Sequence, residues 1–128
     1  MPRDETRTVG GVSVKSRSAK NKGQRASKEL KKILLEAYPE LHDDDIKVVP
    51  AGVTGEDLWL SPAARKLLPF TFEVKNQETW KIPEWLRQSL THAEGTDYTP
   101  LLIFKRNRES FKVCLELTDF LKLLNPST

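Results

Sequence analysis

The chain of 128 residues is 38% hydrophobic and 30% charged, which allows one domain with a buried core that needs no disulfides. It has no apolar run near the ~18 residues of a membrane helix, and no apolar secretory-signal segment follows its first residues. Together with a single cysteine, these features exclude a membrane partner and a disulfide scaffold, and they predict a cytoplasmic protein.

Residues 1–20 have few apolar side chains and many Arg, Lys, Ser, Thr and Gly, which predicts a flexible basic arm before a folded domain at 21–128. Helices are expected at 22–38, 61–68, 83–93 and 118–124, and strands at 46–49, 57–60, 69–75, 101–104 and 110–117. Thr118 would cap the last helix. The unbroken apolar run at 101–104 predicts a central strand covered on both faces. This order predicts an α/β fold, a single domain with a central mixed five-stranded sheet flanked by helices.

Basic residues are concentrated before and inside the first helix, although the net charge is only +3. Between positions 15 and 32 the chain carries eight Lys or Arg residues against Glu29 alone. Such a run is either a solvated face or tail, or a surface that follows a phosphate backbone. We interpret it as a nucleic-acid contact because it leads directly into a helix and includes the pair Lys22-Gly23.

The stretch FTFEVK, at positions 70–75, combines a strand pattern with an acid and a lysine. Apolar residues alternate with Thr71, Glu73 and Lys75, which therefore share one face of the strand. The plain interpretation is an ion pair on an exposed sheet face. Asp57 favours a different interpretation, since it opens the preceding strand and its carboxylate can converge with that of Glu73.

Two carboxylates at one point can hold a hard divalent cation, because Mg²⁺ takes few protein oxygens and keeps several waters. The cation would polarise a phosphodiester and activate a water, and Lys75 would orient that water or stabilise charge on the phosphate. Glu29, beside the apolar stripe of the first helix, is the candidate third carboxylate. The alternative for Glu29 is a solvent-facing position on that helix.

The histidines and tryptophans are not assigned to this site. His42 and His92 lack partners at metal-ligand spacing, which predicts surface positions. Trp59, Trp80 and Trp85 are interpreted as core or dimer-interface residues. No motif indicates a small-molecule cofactor.

The order of Asp57 and then Glu73-Val74-Lys75, after a helix that carries Glu29, resembles the PD-(D/E)xK nuclease superfamily. With Lys22-Gly23 before that helix, the chain is similar to archaeal-type Holliday-junction resolvases and their phage-encoded relatives over roughly residues 20–124. It departs from their pattern in two places: Glu56 replaces the proline before Asp57, and fifteen residues separate Asp57 from Glu73.

This resemblance implies a restriction-endonuclease-like core and a Mg²⁺-dependent endonuclease, with Mn²⁺ as a substitute, that resolves four-way DNA junctions by paired symmetric nicks. It implies a homodimer acting on branched DNA, in the host cytoplasm if phage-encoded. The implied catalytic residues are Glu29, Asp57, Glu73 and Lys75, with the three acids as metal ligands. The expected DNA contacts are Lys20, Lys22, Gly23, Arg25, Lys28 and Gln88.

Two other functions stay open on the sequence. The first is a related nuclease that acts on flaps, nicks or duplex ends. The second is a basic DNA-binding protein in which the acid and the lysine form only an ion pair. This second alternative gives no reason to place Asp57 beside Glu73, since carboxylates that face DNA without a metal repel it.

Overall fold

The computed structural model describes residues 8–9 and 12–126, with side chains placed from position 19 to position 126. Within these residues the helices are α1 Val14–Ala37, α2 Pro62–Leu67, α3 Ile82–Ala93 and α4 Leu117–Leu124. The strands are β1 Thr8–Val9, β2 Val12–Ser13, β3 Ile46–Val48, β4 Leu58–Leu60, β5 Phe70–Asn76, β6 Thr99–Lys105 and β7 Lys112–Cys114. No helix in this part of the chain has both the length and the hydrophobicity to cross a bilayer. The predicted α/β order is confirmed.

The ends of two helices differ from the prediction. α1 begins at Val14 rather than Lys22, because the segment between them contains neither Gly nor Pro and permits helix upstream of the apolar stripe. α4 has Glu116 rather than Thr118 at its N-cap, and Glu116 makes no side-chain capping bond. The predicted flexible arm, 1–20, therefore includes the first turns of α1, and its positions 1–7, 10 and 11 lie outside the described residues. Its division from a nuclease domain stays a prediction.

The main strands do not form the single five-stranded sheet that the sequence predicted. β3 and β4 pair antiparallel, whereas β5, β6 and β7 form a separate sheet in which β5 is parallel to β6 and β6 antiparallel to β7. The gap between the two sheets falls at Asp57. Its N–H donates to the Phe72 carbonyl at 2.8 Å, and its carboxylate accepts the Val74 N–H at 2.7 Å. The Asp57 side chain thus occupies the position of the next backbone hydrogen bond, so the two sheets lie side by side without forming one continuous sheet.

Helices cover both faces of the three-stranded sheet. Leu101 and Ile103 of β6 point into a core cluster shared with α1, whereas Leu102 and Phe104 point to Trp85 of α3. This alternation follows from the two-residue period of a strand. The predicted central strand with two covered faces is confirmed.

The long connection between Asp57 and Glu73 is folded around α2. Ser61 caps this helix as predicted: its Oγ accepts the Ala64 N–H at 3.1 Å and donates to Asp45 Oδ1 at 2.6 Å. Pro62 occupies the first helical position, where its missing N–H is not needed. The connection therefore forms a compact helical turn, and the chain returns from β4 to the neighbouring β5.

The three tryptophans have different environments. Trp85 is 3% exposed, and Trp80 packs edge-on against Phe104 with ring centroids 4.9 Å apart, so both belong to the core. Trp59 is 47% exposed. Of the two predicted roles, the core role is therefore confirmed for Trp80 and Trp85, whereas the interface role stays a prediction for Trp59.

Candidate active site

The structure brings Asp57, Glu73 and Lys75 together where the two sheets meet. Glu73 and Lys75 project from the same face of β5, and Lys75 Nζ lies 3.6 Å from Glu73 Oε2. Asp57 reaches them because its carboxylate accepts the N–H of Val74, the residue between them. The side chain of Glu73 is 7% exposed and that of Lys75 is 21% exposed, so the acid lies deeper than the lysine.

The environment of the Asp57 carboxyl group disfavours its charged form. Burial raises the pKa of Asp57 to about 6, and the negative charge of Glu73 adds to this shift. The Val74 N–H and the Lys75 charge act on the pKa in the opposite direction. Burial and the neighbouring Glu73 charge therefore outweigh the Val74 N–H and Lys75, and a further positive ion beside the two acids would favour their charged forms.

The donor set of Asp57 and Glu73 fits a hard divalent cation. Mg²⁺ is commonly held by one or two carboxylates, with waters and phosphate oxygens completing its shell. Across residues 12–126 and the pair 8–9, no group of three or more His, Cys, Asp or Glu side chains is gathered for a metal. The two acids therefore fit an open cation site that a substrate phosphate can share, rather than a cage built from protein alone.

The Asp57→Asn variant is expected to be more stable than the wild type in the absence of divalent cations. The folded protein holds the Asp57 proton more tightly than the unfolded chain, in which the pKa of an aspartate is near its ordinary value of 3.8. The wild type therefore loses stability as the pH rises from about 4 to 6. The variant keeps an acceptor for the Val74 N–H and lacks this loss. Thermal melts in EDTA should show a gain of about 1–3 kcal/mol at pH 7.5 that vanishes near pH 4. A lower melting temperature at pH 7.5 would contradict this account of the site.

The structure does not bring Glu29 to the acid pair. Glu29 Oε2 lies 2.9 Å from Lys105 Nζ, and the Glu29 side chain is half exposed. Lys105 is buried at the end of β6 and also lies over the Phe111 ring, 5.1 Å from its centroid. A buried ammonium needs a partner, and Glu29 supplies it. The assignment of Glu29 as a catalytic acid and third metal ligand stays a prediction that this geometry does not support.

A cleft of about 280 Å³ opens beside Asp57 and Lys75. α1 forms its facing wall, to which Lys20, Gly23 and Ser27 contribute. Ser27 is only 4% exposed and gives this wall a hydroxyl group rather than an acid. The side of α1 that faces the acid pair therefore carries Ser27, and not Glu29.

The loop between β3 and β4 forms another wall of the cleft. Gln24 Nε2 of α1 donates to the Val49 carbonyl at 2.9 Å and ties the start of this loop to the helix. Gly52 and Gly55 have φ values of +90° and +112°, which other residues rarely adopt. A Cβ at Gly52 would meet nothing within 4 Å, so glycine is needed there for the turn and not for close packing.

A second cleft, of about 610 Å³, adjoins the first and shares Gly23, Val74 and Lys75 with it. Its lining adds Lys22 of α1 and Lys81, which precedes α3. Both clefts therefore meet at Lys75 and carry lysines along their walls. Of the predicted DNA contacts, Lys20 lines the smaller cleft, Lys22 lines the larger one, and Gly23 lines both.

The other predicted DNA contacts lie in different surroundings. Lys28 lines a separate cleft with Lys31 and Lys32, and Arg25 is exposed on α1. Gln88 is partly buried in α3, and its Oε1 accepts no hydrogen bond from the described residues. The role of each in binding DNA stays a prediction.

His92 was predicted to be a surface residue, and this prediction is wrong. Its Nδ1 lies 2.7 Å from Glu73 Oε1, with 29% of the side chain exposed. Glu73 is thereby held on both carboxylate oxygens, by His92 on one and Lys75 on the other. Helical spacing could have found this contact, since His92 lies on the same α3 stripe as the buried Trp85 and Ser89.

The fold and the acid–lysine arrangement are those expected of a PD-(D/E)xK nuclease. The model of the family described as "Phage putative PDDEXK endonuclease" matches residues 18–127. The chain belongs to this family.

Among solved structures, the chain is similar to Hjc, a Holliday junction resolvase from the archaeal hyperthermophile Archaeoglobus fulgidus. The TM-score is 0.51 with 19% sequence identity, and the match covers 73% of this chain and 72% of that one. At this identity the similarity concerns the fold alone. The search of curated proteins found no significant match.

Proposed function

We propose that the protein is a Mg²⁺-dependent, structure-selective DNA endonuclease that resolves four-way junctions by paired symmetric nicks, with Mn²⁺ able to replace Mg²⁺. The observation that carries the proposal is that Asp57, Glu73 and Lys75 lie together beside two lysine-lined clefts that meet at Lys75. Membership of the endonuclease family supports the chemistry. The fold shared with a Holliday junction resolvase supports the choice of substrate.

Each residue of the site has a defined task in this proposal. Asp57 and Glu73 would hold Mg²⁺, which, when bound, polarises the scissile phosphodiester and lowers the pKa of a water molecule. His92 fixes the orientation of Glu73 through the contact at its Oε1. Lys75 stabilises the negative charge that develops on the phosphate or orients the attacking water. Lys20 contributes positive charge to the facing wall of the cleft.

Cleavage assays with synthetic DNA test the proposal directly. The substrates are a four-way junction, a flap, a nicked duplex and a linear duplex, each incubated with Mg²⁺, with Mn²⁺ and with EDTA. We expect two symmetric nicks in the junction in either metal and no cleavage in EDTA. Failure to cut any of these substrates in Mg²⁺ or Mn²⁺ would favour the non-catalytic DNA-binding alternative.

A nuclease that acts on flaps, nicks or duplex ends is the second candidate. Each chain brings a single acid pair to one lysine, which suffices for one nick. Equal rates on the flap and on the junction would favour this candidate and would leave the roles of Asp57, Glu73 and Lys75 unchanged.

Replacing Lys20, Lys22 and Arg25 together with Ala is expected to weaken binding to every DNA form. Lys20 and Lys22 line the clefts, and Arg25 is exposed on the same helix. Each phosphate contact that is lost should reduce the slope of log K against log salt by about 0.9. Fluorescence anisotropy at several salt concentrations measures this slope.

A charge-matched variant provides the control for this experiment. Lys47, Lys66 and Arg87 are exposed and line neither of the two clefts. Their replacement with Ala removes the same net charge, so it should change the salt slope much less. An equal fall in both variants would show that net charge, and not the clefts, governs binding.

A further inference from the structure

The apolar stripe of α4 is uncovered. Leu117, Phe120, Leu121 and Leu124 recur at the spacing i, i+3, i+4 and i+7, which places them on one side of the helix. They are 68%, 45%, 51% and 68% exposed, and α4 contains no buried residue. An isolated helix shorter than about 12 residues is barely stable in water, so α4 needs a surface on which this stripe can pack.

An apolar groove lies open on the same chain. It has a volume of about 250 Å³ and is lined only by apolar side chains of α1, the α2–β5 region, β6 and the β7 region. Ile33 and Val113, on its lining, are 44% and 57% exposed, and no α4 residue lines the groove. A helix is about 10–12 Å wide, so the groove can receive side chains from a helix that lies across its opening.

We infer that α4 of one chain packs on the groove of a second copy, while α4 of that copy packs on the groove of the first. This inference rests on the proposed function, because paired nicking of a four-way junction calls for the homodimer that the family resemblance implies. The helix-in-groove contact is a common mode of recognition between proteins. Because each copy offers both surfaces, the exchange closes as a two-fold dimer and leaves neither surface open.

The apolar character of the two surfaces and their presence on the same chain favour a second copy as the occupant. The stripe and the groove are both apolar, so their contact buries no unpaired charge. A standard specific interface removes on the order of 1,600 Å² from water, and two reciprocal contacts supply twice the area of one toward that size. A single contact with an unrelated helix would leave either the stripe or the groove of this chain exposed.

The dimer would give the proposed junction cleavage its second acid pair. A four-way junction has two equivalent strands to cut, and a two-fold dimer provides two equivalent sites. The stripe and the groove contain no residue of the Asp57, Glu73 and Lys75 site. Changes to the interface should therefore separate assembly from the chemistry of a single nick.

The first experiment measures mass by light scattering at micromolar concentration. We expect the wild type to have twice the chain mass of 14.6 kDa, and the variant Leu121→Glu/Leu124→Glu to be monomeric. Lys122→Glu is the control, because it adds a glutamate to the exposed α4 without touching the stripe. Circular dichroism checks that the variants are folded. A monomeric wild type, or a dimer that withstands the double substitution, would overturn the inference.

The second experiment distinguishes exchange from closure within one chain. Leu121→Cys and Ile33→Cys are placed on separate chains in which Cys114, the single native cysteine, is replaced by Ser. Oxidation of the mixed proteins should give a covalent heterodimer, and neither protein alone should give that product. If a chain carrying both cysteines forms only an internal disulfide and has monomeric mass, α4 covers its own groove and the inference is wrong.

Cleavage of a nicked or flapped duplex keeps the two proposals separate. The monomeric α4 variant should still cut these substrates if the proposed chemistry is right, while its paired nicking of the junction falls by at least about tenfold. An inactive wild type that dimerises and loses its dimer in the α4 variant would support the interface and reject the nuclease. An active wild type that is monomeric would support the nuclease and reject the interface.

Discussion

Replacement of Asp57 by Asn, or of Glu73 by Gln, is expected to abolish Mg²⁺-dependent cleavage while DNA binding persists or becomes stronger. Asp57 lines the smaller cleft, and its carboxylate lies close enough to that of Glu73 for the two charges to interact. Each substitution removes a negative charge from a surface that faces phosphates, so it should not harm binding. The expected loss in rate is a hundredfold to about a thousandfold or more, as for other groups that stabilise charge in a transition state.

Single-turnover rates and binding in EDTA separate the two effects. Glu94→Gln is a matched control, because Glu94 is an exposed acid beyond the last residue of α3. Cleavage within about tenfold of the wild type in either Asp57→Asn or Glu73→Gln would sink the assignment of a metal site. Restoration of activity by a higher Mg²⁺ or Mn²⁺ concentration in Glu73→Gln would strengthen it, since a weakened ligand can be offset by mass action.

Glu29→Gln tests the position of the third acid. The geometry predicts that cleavage stays close to that of the wild type, while stability falls because the buried Lys105 loses its charged partner. The size of this loss should be about 1–3 kcal/mol in denaturant titrations. A Glu29→Gln variant that folds like the wild type but does not cleave would return Glu29 to the catalytic residues.

The face of β5 could be predicted because it depends only on local pattern. The alternation through Phe72 and Val74 fixes one buried side, so Glu73 and Lys75 must share the other whatever the rest of the chain does. The convergence of Asp57 followed from chain order, since it opens the strand that precedes β5. Strand alternation and chain order were therefore sufficient to predict that Asp57, Glu73 and Lys75 lie together in the site.

The position of Glu29 could not be predicted from the sequence. Its neighbourhood in α1 gives only the helix face, and either a solvent-facing or a sheet-facing position was consistent with it. Its partner Lys105 lies 76 residues later in the chain, at the end of an apolar strand where no pattern marks a buried lysine. The pairing depends on how α1 crosses the sheet, which is a tertiary property.

The division of the sheet was also beyond the pattern of strands. Strand patterns predict which residues pair with some neighbour, but they do not show when a side chain replaces a backbone partner. Here the Asp57 carboxylate accepts the N–H of Val74, and no backbone ladder forms between β4 and β5. The interruption of the sheet and the position of the acid pair therefore have the same cause.

Lys75→Ala is expected to retain DNA binding and to lose most of its turnover. Lys75 lines both clefts and lies 3.6 Å from Glu73 Oε2, so its charge acts at the point where the acids meet. An interaction made mainly in the transition state appears in the rate and not in the affinity. The expected fall in the single-turnover rate is about a hundredfold to a thousandfold.

Lys81→Ala is the matched control for this prediction. Lys81 is exposed on the wall of the larger cleft. Within the described residues Glu73 is paired with Lys75 and His92, and not with Lys81. It should therefore change affinity and the salt slope, with little effect on the single-turnover rate. If Lys75→Ala instead weakens binding severely and keeps its rate, Lys75 is a phosphate contact like Lys81. The chemistry would then rest on the acid pair alone, because no other lysine is paired with Glu73 in the described part of the chain.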